Sequence, residues 1–174
     1  MRCEIADYVP APRVAPTAAW TAFGFGLLYA GVSVYWAAGG RWLLDTVGGS
    51  LGQLGRQRDT AALMTVWAAA VIKLIAAVIP LLAIRRSRGS RRRVVRILAW
   101  AEAAILVGYG HVLTAAGLLL QAGIILPAAG ADHGALAWHA FLWDPWFLVW
   151  GLLVLLAMTN ANQEKRFPCV RSAS

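Results

Sequence analysis

The chain has 174 residues, of which 60% are hydrophobic, and a mean hydropathy of +0.62, which is far more apolar than an ordinary soluble domain. This composition excludes a soluble globular enzyme and indicates an integral membrane protein. The formal net charge of +8 would suit nucleic-acid binding. Its distribution favours a membrane surface instead, because the basic residues gather at the ends of apolar segments.

Four apolar stretches are long enough to cross a bilayer, which takes about 20 residues of helix. They lie at residues 17–38, 61–84, 97–126 and 142–159. Because the connections between them are short, we expect an all-α, four-transmembrane-helix up-and-down bundle. Residues 17–159 would form this single membrane domain, with a lead at 1–16 and a tail at 160–174.

The basic residues predict the orientation of this bundle. Seven arginines lie in the loop between the second and third spans, and further basic residues lie near both chain ends. The positive-inside rule therefore places both termini in the cytoplasm and the protein in the cell membrane. We expect the loop between the second and third spans to attract anionic lipid headgroups, and we expect no nucleic-acid partner. Its arginines are Arg85, Arg86, Arg88, Arg91, Arg92, Arg93 and Arg96.

Two stretches rich in tryptophan and aspartate flank the first and last spans. In the predicted orientation both lie on the outer side, so two carboxylates and five tryptophans could share one pocket. Their members are Trp36, Trp42 and Asp45 in the first stretch, and Trp143, Asp144, Trp146 and Trp150 in the second.

Asp144 has two interpretations. An aspartate at the N-cap followed by Pro145 is a normal helix start, so capping alone could explain both residues. Trp143, Trp146 and Trp150 are spaced i, i+3 and i+7, which places them on one helical face. An aromatic belt at the interface does not require one face, so the stripe favours a lined cavity.

Polar residues within the spans add further candidates. Lys73 lies near the middle of the second span, where a charge is costly unless it finds a partner. Glu102 and Tyr109 lie seven residues apart on nearly the same face of the third span. A cluster of Lys73 with tyrosines or with Glu102 would satisfy the ammonium.

The outer loop between the third and fourth spans contains Asp132, His133 and His139. Their spacing matches no standard zinc pattern, and no cysteine lies near them. The sequence therefore predicts neither a metal site nor another cofactor.

Two motifs carry a family resemblance, namely Tyr35-Trp36-Ala37-Ala38-Gly39-Gly40-Arg41-Trp42 and Leu142-Trp143-Asp144-Pro145-Trp146-Phe147. With them the chain resembles an actinobacterial family of small four-helix membrane proteins, which is described as a domain of unknown function. In size and layout the chain is also loosely similar to the small bacterial membrane-bound terpene cyclases of drimentine-type pathways. This second resemblance implies an isoprenoid substrate.

An acid among aromatic rings suits the proton-initiated, class II-type cyclisation of an isoprenoid or prenylated small molecule. A carboxyl group in an apolar cavity can stay protonated and act as a general acid, and tryptophan faces stabilise cations. Asp45 or Asp144 would donate the proton, and Glu102 is the third candidate for this role or for the final base. The expected lining is Trp36, Trp42, Tyr109, Trp143, Trp146 and Trp150.

Two other functions fit the same residues. The chain could be a non-enzymatic bundle that binds a lipid, quinone or sterol-like ligand, with the acids as helix caps. It could also be an accessory subunit, held to a partner by glycine-rich helix faces and the arginine loop.

Overall fold

The computed structural model describes residues 14–48, 60–85 and 90–166, and this part of the chain is helical and contains no strand. The predicted lead before residue 14, the tail after residue 166 and residues 86–89 of the arginine loop lie outside it. The helices are α1 (Val14–Ala37), a 3-10 turn (Leu44–Thr46), α2 (Thr60–Ile84), α3 (Ser90–Gln121), α4 (His133–Trp138), a π-helical turn (His139–Trp143) and α5 (Asp144–Arg166).

Within the described residues, four helical segments are long and apolar enough to cross a membrane, which confirms the predicted all-α class. They are Val14–Ala37, Thr60–Ile84, Arg93–Gln121 and His133–Ala161. The last segment begins earlier than predicted, because α4, the π-turn and α5 follow one another without a break.

Neighbouring helices run antiparallel. Between α1 and α2, Ser33 contacts Lys73, whereas Gly26 approaches Ala77. Residue numbers therefore rise along one helix as they fall along the other. Between α3 and α5, Gly110 approaches Leu148 and Gly151 approaches Val107, with the same consequence.

The helices form a ring that closes loosely on one side. Helix α1 packs closely against α2 and also against α5, and α3 packs closely against α5. The contact between α2 and α3, which would complete the ring, is much smaller. The tightly packed core lies along α5, where Trp150, Val154 and Met158 are almost completely buried.

The last span does not begin with Asp144, so the interpretation of Asp144 as an N-cap, one of the two that the sequence left open, does not hold. Asp132 is the N-cap: its Oδ1 accepts hydrogen bonds from the backbone N–H groups of Gly134 at 2.9 Å and Ala135 at 3.1 Å. The backbone of Asp144 is already helical, and its N–H donates to the carbonyl of His139, five residues earlier. Pro145, which has no N–H, follows this turn. The side chain of Asp144 is thereby released from capping.

Candidate functional site

A cavity of about 260 Å³ lies between α1, α2 and the junction of the π-turn with α5. It occupies the end of the bundle away from Arg85 and Arg91, which we call the cavity end. Its aromatic lining consists of Tyr29, Trp36, Tyr109, Trp143 and Phe147, and its polar lining consists of Ser33, Thr65, Lys73, His139 and Asp144.

The cavity brings together four of the predicted site residues: Asp144, Trp36, Trp143 and Tyr109. Asp144 is only 5% exposed, and Trp143 is buried with its ring edge-on to Trp36 at 5.6 Å. Tyr109 of α3 lies at the open side of the cavity and is 52% exposed. One carboxylate and two tryptophans therefore share the pocket, rather than two carboxylates and five tryptophans.

Asp45 and Trp42 lie outside the cavity. Leu43 adopts a left-handed backbone conformation with φ of 61°, and the 3-10 turn that follows it directs Leu44 and Val47 to the cavity. In a 3-10 helix, residues three apart share one side. Asp45 therefore points elsewhere and is exposed, and Trp42 is 69% exposed.

Trp146 and Trp150 also lie outside the lining, although they follow Trp143 on the same helical face. Each step along that face moves the side chain away from the cavity end. The Nε1–H of Trp146 donates to the carbonyl of Phe25 at 3.2 Å, and Trp150 is 1% exposed in the core beside Gly26. These two rings hold α5 against α1.

Glu102 is separate from the cavity. It shares a face with Tyr109 but lies seven residues nearer the other end of α3, a distance of about 10 Å. Both carboxylate oxygens of Glu102 are buried and, among the described residues, have no hydrogen-bond partner. Its predicted role as proton donor or final base in this pocket is therefore not supported by its position.

His139 and Asp144 form a pair that the sequence did not indicate. The Nδ1 of His139 lies 3.3 Å from Oδ1 of Asp144, and its Nε2 lies 3.1 Å from the carbonyl oxygen of Val47. A carbonyl can only accept, so Nε2 must carry a hydrogen. Any proton in the remaining contact would then be carried by Nδ1 of His139 or by Oδ1 of Asp144.

The π-turn explains why helical periodicity in the sequence could not predict the contact between His139 and Asp144. Residues five apart point in clearly different directions on a regular α-helix. The wider π-turn, with its hydrogen bond from Asp144 to His139, brings the two side chains to the same side. Asp132, which the sequence analysis considered for a metal site together with His133 and His139, instead caps α4. Within the described residues, no three His, Cys, Asp or Glu side chains are arranged to hold a metal ion.

Lys73 lies at the inner wall of the cavity. Its Nζ donates to Oγ of Ser33 at 2.8 Å and lies 3.8 Å from the centre of the Tyr29 ring. The ammonium thus meets a tyrosine face and a hydroxyl group, not Glu102. Tyr29 in turn contacts Trp143 at 5.7 Å and Phe147 edge-on at 4.9 Å, so it belongs to a continuous aromatic wall.

Comparison with known proteins identifies a family but no function. A family model described as "Protein of unknown function (DUF3995)" matches residues 26–154, which include the entire cavity lining. No curated protein and no solved structure matches the chain, and nothing links the chain to terpene cyclases. Since the match covers most of its length, this chain belongs to the DUF3995 family.

Proposed function

We propose that this protein is a membrane-embedded enzyme that binds an isoprenoid-like molecule in the cavity and transfers a proton to it from the His139–Asp144 pair. The observation that carries the proposal is the 3.3 Å contact between His139 Nδ1 and Asp144 Oδ1 at the wall of an aromatic cavity. A positioned acid in an apolar environment is what proton-initiated cyclisation requires.

The proposed reaction is an isomerisation. The bond between the acid and its proton breaks, and the π electrons of a substrate alkene form a new C–H bond. The resulting carbocation is attacked by a second alkene, which closes a ring. The new cation then loses a proton from carbon to the His139–Asp144 pair, which restores the acid. The faces of Trp36, Trp143 and Phe147 would stabilise the cation by about 2 kcal/mol each when water is excluded.

The test is turnover by the purified protein with linear isoprenoids and prenylated acceptors, with products examined for new rings at unchanged mass. Asp144→Asn is expected to lower the rate by about 100-fold or more, since a general acid typically contributes that much. Asp45→Asn is the matched control, because Asp45 is exposed and outside the cavity lining. Full activity in correctly folded Asp144→Asn would disprove the proposed role of the pair.

A second candidate is non-enzymatic binding of a lipid- or quinone-like ligand, and Lys73 favours it. Its ammonium already lies against the face of Tyr29. A substrate carbocation nearby would be repelled by this charge. A thermal shift caused by some of the same compounds, without turnover of any of them, would favour this candidate over the enzyme.

We also propose that both termini are cytoplasmic and that the cavity end faces the outside of the cell membrane. The arginines that connect α2 and α3 support this orientation, and they would bind anionic lipid headgroups. A carboxy-terminal fusion to a fluorescent protein should fluoresce, whereas a fusion to periplasmic alkaline phosphatase should be inactive. The opposite pair of results would reverse the orientation.

A further inference from the structure

The ammonium group of Lys73 is the unmatched charge of the cavity. One of its hydrogens is donated to Ser33, and it contacts the ring face of Tyr29. Asp144 lines the same cavity, but its described ion pair is with His139. Among the residues that the structure describes, no carboxylate pairs with Lys73. A charge near the middle of a candidate membrane helix normally has a partner.

The partner can come from the ligand. An ammonium has three hydrogens to donate, and Ser33 and the Tyr29 ring account for two of these directions. Because Lys73 also lines the cavity, the ammonium is accessible to a molecule bound there. The Oγ of Ser33 makes only a long 3.4 Å hydrogen bond to the carbonyl of Tyr29, so the hydroxyl can turn to a better acceptor.

The cavity also limits the kind of anion. One unmatched cation balances one negative charge, and the remaining cationic candidate, His139, is already bonded at both ring nitrogens. The aromatic wall of Tyr29, Trp143 and Phe147 suits hydrocarbon rather than a hydrated ion. A diphosphate would bring more charge than this site can pair.

We propose that the ligand is a hydrocarbon amphiphile with a single carboxylate, which Lys73 and Ser33 bind while the hydrocarbon chain lies against the aromatic wall. This inference rests on the proposed function for the cavity as the ligand site, and it specifies the substrate class. The carboxylate neutralises Lys73, and so removes the repulsion that the ammonium would exert on a carbocation in the same cavity.

The test compares farnesoic acid with methyl farnesoate, which has the same chain but no charge, by equilibrium binding to the purified full-length protein in a neutral detergent. The acid is expected to bind at least about tenfold more tightly, as for one charge-assisted hydrogen bond. Lys73→Met should abolish this preference. Arg93→Gln removes a positive charge from an exposed position at the end of α3 that lies away from the cavity, and it should preserve the preference for the acid.

Equal affinity of the wild-type protein for acid and ester would overturn the inference without any variant. A preference that survives in folded Lys73→Met would overturn it as well. Lys73→Arg keeps the charge and should keep the preference, which separates loss of the charge from damage to the fold. Palmitate distinguishes the source of the carboxylate: tighter binding of palmitate assigns a bilayer fatty acid, and tighter binding of farnesoate assigns an isoprenoid acid.

Binding and turnover fail separately. Asp144→Asn should still prefer the acid, because Asp144 does not contact Lys73 in the structure. If no compound is turned over but the preference for the acid depends on Lys73, the proposed reaction is wrong and the ligand assignment holds. If cyclisation occurs but acid and ester bind equally, the reverse is true.

Discussion

Trp143 connects the cavity wall to the 3-10 turn Leu44–Thr46. Its ring contacts Tyr29 and Trp36, and its Nε1–H donates to Oγ1 of Thr46 at 3.1 Å. The Thr46 hydroxyl passes its own hydrogen to the carbonyl of Leu43 at 2.6 Å. Together with the bond from His139 to Val47, these contacts fix the loop over the cavity.

Thr46→Val should destabilise the protein by about 1–3 kcal/mol, because the buried indole N–H of Trp143 would lose its acceptor. Thr46→Ser keeps the hydroxyl group and should lose clearly less. Thermal unfolding in detergent, with both variants measured side by side, checks this expectation. Equal stability of Thr46→Val and the wild-type protein would show that the hydrogen bond contributes nothing.

At the residue scale, the sequence predicted some cavity residues and missed others. Trp143 and Asp144 could be predicted because the sequence places this carboxylate among three tryptophans near one end of an apolar span. Asp45 lies in a stretch of similar amino-acid composition to the one around Asp144, but the left-handed Leu43 and the 3-10 turn direct its side chain away from the cavity. No periodicity rule pairs His139 with Asp144, because their contact depends on a π-turn that propensity does not predict.

At the element scale, close approach of α3 and α5 depends on glycine. A Cβ added to Gly110 would clash with the backbone nitrogen of Leu148 and lie 2.7 Å from its Cα. Neither of these atoms can move without shifting α5. A Cβ on Gly108, two residues away on the same helix, would meet nothing within 4 Å. The two glycines therefore form a matched pair.

Gly110→Ala should destabilise the protein by about 1–3 kcal/mol through overpacking. Gly108→Ala should be neutral or stabilising by up to about 1 kcal/mol, since alanine is the better helix former. The difference between the two midpoints of thermal unfolding isolates the helix contact from helix propensity. If both variants unfold at the same temperature, α3 and α5 are not packed as closely as the structure indicates.

The four spans could be predicted from the sequence because long apolar runs have few alternatives to a membrane helix. The start of the last span could not. Pro145 follows an aspartate, which is the usual pattern of a helix N-terminus, and the segment before it is less apolar. The true start at His133 depends on the cap by Asp132 and on a π-turn that tolerates the missing N–H of Pro145.

At the scale of the whole molecule, the helices that line the cavity are unequally connected. Helices α1 and α5 are held to their neighbours by packed rings and by glycine contacts, whereas α2 and α3 make much less contact with each other. Composition could predict a bundle but not which pair of helices would be loosely packed.

The loose contact between α2 and α3 bears on how the proposed ligand would reach the cavity. Thr65 of α2 and Tyr109 of α3 both line the cavity and are exposed at the outer surface of the bundle. In a bilayer, the pocket would therefore open sideways into the hydrocarbon phase. Occupancy should then follow the mole fraction of ligand in the bilayer, not its concentration in water.

At constant amounts of protein and ligand, adding lipid should lower the occupancy of the cavity by two-dimensional dilution. Lengthening the ligand chain, which improves partitioning by about 0.8 kcal/mol per CH₂, should leave the affinity expressed as a mole fraction unchanged. A titration at several lipid-to-protein ratios measures both effects, and an occupancy independent of the lipid would instead indicate entry from water.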